Sequence, residues 1–139
     1  MKTEMKKVHV TICVAKDGFY SAFCNDYPAL FGSGDTPAAA RKELEETLRL
    51  TQEEGKEHAY VYPDWLDEGF EFIIHWDIQS LLEYYSGIIT PTALGRLSGI
   101  HPKQLWAYQH GISKPRRTQV AKIEAALHQL GRELINTVF

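Results

Sequence analysis

The stretch LSGIHPKQLWAYQHGISKPRR, residues 97 to 117, gathers side chains suited to phosphate and base edges: Lys103, Lys114, Arg116 and Arg117 as cations, Gln104, His101 and His110 as hydrogen-bonding groups, and Trp106 as a stacking surface. From Thr90 to Phe139, seven Lys plus Arg (Arg96, Lys103, Lys114, Arg116, Arg117, Lys122, Arg132) stand against Glu124 and Glu133, a net of +5. Residues 1–89 hold eight basic and sixteen acidic side chains, a net of -8. The formal charge of -3 therefore hides two opposite halves. A basic unit suits a polyanion, because each Lys or Arg that neutralises a phosphate releases counterions. The acidic half must do something else.

Other residues invite chemistry with less support. Two-metal nuclease chemistry needs carboxylates gathered to hold ions about 4 Å apart, and the first strand-like segment contains none; Asp17, Asp26 and Asp35 all fall at turns, where Asp commonly caps the backbone. Gly32-Ser33-Gly34 precedes a helix but lacks the third Gly of a dinucleotide fingerprint and the Gly-Lys-Ser/Thr of a phosphate loop. The six histidines (His9, His58, His75, His101, His110, His128) show no metal-ligand spacing, so neither a metal nor a cofactor is expected. Cys13 and Cys24 lie in strand-like segments and read as buried reduced thiols. The N-terminus MKTEMKKVHV has charge but no apolar stretch of about 7 to 15 residues, and no run of roughly 18 apolar residues occurs anywhere. A soluble, cytoplasmic protein is expected, with no membrane partner.

The elements that would position these groups divide at residue 77. Val8, Val10, Ile12 and Val14 alternate with His9, Thr11, Cys13 and Ala15, the period of a strand with one face buried. Lys16-Asp17-Gly18 turns the chain into a second strand over Phe19 to Cys24, which Asn25 to Pro28 breaks, and Leu30-Phe31 makes a short third strand. Thr36 and Pro37 start a helix in which Ala40, Leu44 and Leu48 fall four apart, ending near Gly55. After the polar and aromatic connection at residues 56–70, Phe72, Ile74 and Trp76 mark a last strand. The order describes a small α+β unit followed by an all-α unit.

"AFCNDYPALFGSGDTPAAARKELEETLRL" resembles the signature of HicB-type antitoxins: a strand, an Asp-x-Pro-like turn, a Gly-x-Gly-Asp-Thr element and a helix rich in Ala, Glu and Leu. The family adds a strand after the helix, and some members append a DNA-binding domain. The resemblance implies a partial RNase H-like fold, βββαβ, that has lost nuclease function and binds a small basic ribonuclease, a HicA-like toxin. The acidic balance of residues 1–89 suits such a partner. Residues 56–70 are longer and more aromatic than the family pattern.

In the second unit, Ile78, Leu81, Leu82 and Tyr85 have helical spacing with Asp77 as the cap, Thr90-Pro91 starts a second helix whose Leu94 and Leu97 point inward, and Gly95 stands where two helices cross. Pro102 opens a third helix with Leu105 and Tyr108 on its buried side; Gly111 ends it, and Ser113-Lys114-Pro115 begins a fourth with Val120, Ile123, Leu127, Leu130 and Leu134 as its apolar stripe. Laid out this way, Leu94-Gly95-x-x-x-Gly99-Ile100-His101 followed by Leu105, Tyr108, Gly111 and Pro115 looks like the Xre or lambda-repressor-like helix-turn-helix. That resemblance places the third helix in the major groove. Its matching positions make His101, Pro102, Lys103, Gln104, Trp106 and Ala107 the base-facing set, with Lys103 able to donate to guanine and Ala107 able to touch a thymine methyl. Thr90, Thr92, His110, Lys114, Arg116 and Arg117 become phosphate contacts. Trp106 either stacks on sugar-phosphate or packs in the protein; Gln104 faces the groove or the helix interior.

The reading that follows is an antitoxin, not an enzyme, that neutralises a HicA-like toxin with residues 1–77 and represses its own operon by binding operator DNA with residues 78–139. A homodimer or larger assembly is expected, because this class of domain reads paired half-sites. A stand-alone repressor with a ligand-sensing or oligomerising N-terminal unit is the alternative, with Tyr60, Tyr62, Trp65 and Trp76 as pocket candidates. An active RNase H-like nuclease using Asp17 or Asp26 is the third.

Overall fold

A computed structural model describes residues 5–139, so the first four residues of the N-terminal unit lie outside the description. The chain divides into two compact units, residues 1–77 and 78–139. The first is a four-stranded sheet covered on one face by a long helix; the second is all helical.

In unit 1, β1 (Lys6–Val14), β2 (Tyr20–Cys24), β3 (Tyr27–Gly34) and β4 (Phe70–Trp76) lie in the order β3-β2-β1-β4. β1–β2 and β2–β3 are antiparallel, whereas β1 and β4 are parallel, in register from Lys6 opposite Phe70 to Ile12 opposite Trp76. The first turn is tight because Gly18 takes φ +86° and the carboxylate of Asp17 accepts the amide of Phe19 at 3.0 Å. Alternation decides which face is covered: Val8, Val10, Ile12, Tyr20, Ala22, Cys24 and Leu30 are buried together with Ala40, Leu44 and Leu48 of α1 (Pro37–His58). Thr36 caps α1, its hydroxyl accepting the amide of Ala39 at 3.0 Å. The thiol of Cys24 is pushed up to about 11, chiefly by burial and then by the neighbouring Asp26 carboxylate, and burial and then Asp77 raise Cys13.

Several elements differ from the sequence expectation. β3 does not start at Leu30 but at Tyr27, and it runs on through Gly32-Ser33-Gly34; Pro28 is tolerated because β3 is an edge strand. The glycines serve packing more than turning. A Cβ on Gly32 would lie 2.2 Å from the Leu44 amide nitrogen and 2.4 Å from the Ala40 carbonyl oxygen, so only a bare backbone lets β3 sit this close to α1. Likewise α1 does not end at Gly55 but continues to His58 and closes on Ala59 in the left-handed region; Gly55 instead makes room for the Tyr62 ring, which lies where its Cβ would be.

The connection after α1 folds back as a strap containing α2 (Trp65–Glu68). Gln52 on α1 donates to the Leu66 carbonyl at 3.0 Å and the Asp67 carboxylate at 2.7 Å; Tyr62 donates to the same carboxylate at 2.8 Å, and Lys56 lies 3.3 Å away. These partners hold the Asp67 carboxyl below its ordinary range, Gln52 contributing most. Trp65 packs edge-on against Phe70, and Tyr60 and Tyr62 border an open groove with Thr47, Leu50, Thr51, Glu54 and Val61.

Unit 2 contains α3 (Ile78–Tyr84), α4 (Pro91–Ser98), α5 (Pro102–Gln109) and α6 (Arg117–Ile135). Leu82, Leu94, Ile100, Leu105, Tyr108, Ile123 and Ala126 form its core, with Ile78, Leu81, Ile89 and Leu127 against it. Leu97 and Leu134 are exposed, contrary to the expectation that both face inward, although their spacing keeps them near the helix faces of Leu94 and Ile123. The fourth helix begins at Arg117, two residues beyond Pro115.

Gly32→Ala should destabilise unit 1 by about 1 to 3 kcal/mol through the clash with α1. Gly131→Ala, in an open helical position, should instead add about 0.5 to 1 kcal/mol. Denaturant unfolding of both variants measures the contrast. Because the folded Asp67 carboxyl titrates below its unfolded value, the strap's contribution is complete above the ordinary carboxylate range and is lost as pH falls through the depressed value. Tyr62 ring resonances should therefore shift on acidification below about pH 4 in the wild type, and this transition should vanish in Asp67→Asn.

Candidate nucleic-acid interface

The local sequence around α5 fixes its orientation from both ends. Thr90 caps α4, its hydroxyl accepting the Ala93 amide at 3.1 Å, and Gly99 ends that helix with φ +77°. His101 then caps α5, its Nδ1 accepting the Lys103 amide at 3.1 Å, with Pro102 in the first turn. A Cβ on Gly95 would lie 2.9 Å from the Ile100 carbonyl oxygen and 3.1 Å from the Pro102 ring, so α4 carries a glycine where the start of α5 presses on it. At the far end, Gln104 donates to the Ser113 hydroxyl at 3.0 Å and ties α5 to the loop that leads to α6.

Burial of Leu105 and Tyr108 leaves the opposite face of α5 to Lys103, Trp106, Ala107 and His110, at spacings of three, four and seven residues. Lys103 is exposed and Ala107 half-buried. Trp106 is 48% exposed, which places its ring at the surface and not in the core. It stacks on the His110 ring with centroids 4.0 Å apart, and His110 Nδ1 lies 2.9 Å from the Trp106 carbonyl oxygen. Indole and imidazole thus form a preset slab.

Of the residues singled out in the sequence, Lys103, Trp106, Ala107 and His110 come together on this stripe. His101, Pro102 and Gln104 do structural work, as cap, as packing against Gly95 and as tie to Ser113. Thr90 is engaged as a cap, while Thr92 is exposed in the first turn of α4. Lys114, Arg116 and Arg117 are exposed, on the loop and at the start of α6, where Arg116 occupies the cap position without a side-chain cap bond. The electrostatics of this region are one-sided: between Glu83 and Glu124 there is no carboxylate side chain, and the interval carries six Lys plus Arg. That gap is legible in the sequence, and it is a sharper signal than the net charge of the half-chain.

The acidic unit offers no comparable catalytic grouping from the expected carboxylates. Asp17 precedes and Asp26 follows β2, whose five residues alone span about 13 Å, so these two cannot hold a metal pair about 4 Å apart. Among the described residues, the one group of three possible metal ligands is Glu54, Glu57 and His58, all exposed near the C-terminal end of α1. Spacing in the sequence did not reveal that His9 and His75, on β1 and β4, lie side by side. The chain matches no protein-family model, no curated protein and no solved structure.

Thr90→Ala should cost about 1 kcal/mol of unit 2 stability by stripping the cap from α4, and Thr90→Ser should restore most of it. Thermal unfolding followed by helical circular dichroism reads both.

Proposed function

We propose that the protein is a HicB-type antitoxin. Its α4–α5 pair acts as an Xre or lambda-repressor-like helix-turn-helix, with α5 in the major groove of operator DNA, and unit 1 is a partial RNase H-like domain that binds and neutralises a small basic HicA-like mRNA-cleaving toxin. The observation that carries the reading is the outward stripe of Lys103, Trp106, Ala107 and His110 on α5, set inside a region free of carboxylates. On this reading Lys103 donates to a guanine edge and Ala107 meets a thymine methyl. Lys114, Arg116 and Arg117 hold phosphates and set register. The Trp106–His110 slab lies along sugar-phosphate. The protein acts as a homodimer or larger assembly in the cytoplasm, pairing two copies of α5 on half-sites about one helical turn apart.

The order strand, strand, strand, helix, strand in unit 1 supports the antitoxin assignment, and so does its charge: residues 1–77 hold eight basic and fifteen acidic side chains. A basic ribonuclease meets complementary potential there. No catalytic step and no cofactor is required.

Two measurements test the proposal. Full-length protein from its native cells should retain one small basic ribonuclease on affinity capture and inhibit its cleavage of mRNA. In DNA-binding titrations, Lys103→Ala should weaken the native operator by about 1 to 3 kcal/mol and relax base preference, whereas Arg116→Ala should weaken all sequences alike and reduce the salt slope by about 1. Unchanged operator affinity in Lys103→Ala would put α5 outside the groove.

A further inference from the structure

The face of the unit 1 sheet turned away from α1 holds Lys7, His9, Thr11 and Cys13 of β1 beside Glu71, Ile73 and His75 of β4, because Val8, Val10 and Ile12 turn to α1. On that face His9 Nδ1 lies 2.7 Å from His75 Nε2, with ring centroids 4.9 Å apart. Two ring nitrogens cannot approach so closely lone pair to lone pair; a shared electrophile must lie between them, either the N–H proton of one ring or a metal cation.

We infer that His9 and His75 form a chelating site for a borderline divalent cation of the zinc, nickel or copper class. Imidazole nitrogen is a preferred donor for these ions and a poor one for magnesium or calcium. Zn–N bonds of about 2.0 to 2.1 Å at tetrahedral or octahedral angles place two donor nitrogens about 2.9 to 3.4 Å apart, so the observed pair has to open by less than an ångström. Both side chains are exposed and have room to do so. The parallel register, with His9 opposite Ile73 and Thr11 opposite His75, fixes the donors on adjacent hydrogen-bonded strands. Little ordering is left to be done on binding. A neutral pair takes up the cation by moving one ring proton to that ring's other nitrogen, with no proton released.

Two neighbouring polar residues, Asn25 and Thr11, are already engaged with each other or with the backbone. The Asn25 backbone N–H donates to the His9 carbonyl at 2.8 Å, and the Asn25 side-chain oxygen accepts the Thr11 hydroxyl at 2.6 Å. Among the described residues no third ligand group lies with His9 and His75, so two protein donors leave the remaining coordination positions to water or to an outside group. Bound metal would cross-link β1 to the edge strand β4 and stabilise unit 1 by mass action.

The test is isothermal titration of untagged full-length protein with Zn2+, repeated with Mg2+, on the wild type and on His9→Ala, His75→Ala and His58→Ala. The last variant disables the exposed Glu54, Glu57 and His58 group. Saturable zinc binding that disappears in His9→Ala and in His75→Ala, survives in His58→Ala and is not shared by Mg2+ supports the site. No zinc heat in the wild type, unchanged binding in either strand variant, or loss in His58→Ala overturns it. Should a strand variant fail to fold by circular dichroism, 15N spectra of the wild-type imidazoles decide: zinc must shift His9 Nδ1 and His75 Nε2, and an absence of shift there overturns the inference.

Discussion

The parallel pairing of β1 with β4 is the constraint on which unit 1 depends. Neighbouring parallel strands cannot be joined by a hairpin, so the chain between them must leave the sheet and return, and a crossover of this kind is usually helical. Residues 15 to 69 make the connection: β2 and β3 extend the same sheet, and then α1 and the strap leave it and return to β4. Every part of it answers to the register. α1 must lie against β3 and β2 closely enough that Gly32 has no room for a side chain, and the strap must return Phe70 opposite Lys6. The ladder ends where the Asp77 amide donates to the Ile12 carbonyl at 3.2 Å, the last residue before α3.

What the sequence reveals of this arrangement follows from what local physics can encode. The alternation of Val8, Val10 and Ile12 and the Thr36-Pro37 start of α1 are local, and both are present in the structure. Gly32 and Gly55 are ambiguous locally, because a glycine that turns the chain and a glycine that admits another backbone or ring look alike in one dimension. Only the partner, α1 for the first and Tyr62 for the second, tells them apart. Parallel pairing is equally silent: His9 and His75 are 66 residues apart, and no spacing rule links them without the register.

In unit 2 the readable and unreadable parts divide differently. Leu94, Ile100, Leu105 and Tyr108 are buried as their spacing indicates, while Leu97 is not, since one apolar residue beyond the core stripe costs little in water. The roles of polar side chains are harder to read. Lys103, Gln104 and His101 are neighbours in a polar run, yet one is exposed, one ties a loop and one caps a helix. Residue type alone does not separate a group held for structure from a group held out to a partner. The structure separates them by showing which polar atoms already have a partner within the chain.

Net charge is the wrong variable for judging what such a chain can bind. At physiological ionic strength fields decay over about 8 Å, so a group on α5 responds to charges near it in space and hardly to the sum over 139 residues. The interval between Glu83 and Glu124 holds six cations and no carboxylate, and its exposed members include Lys103, Lys114, Arg116 and Arg117. A phosphate at that surface would meet a basic field although the molecule carries -3. If α5 binds DNA as proposed, the acidic unit adds something a uniformly basic protein lacks: its own surface carries more negative than positive charge and gives phosphate little to hold. On the proposed reading, segregating the charges raises the ratio of specific to non-specific affinity, the quantity that decides occupancy of an operator among many competing sites.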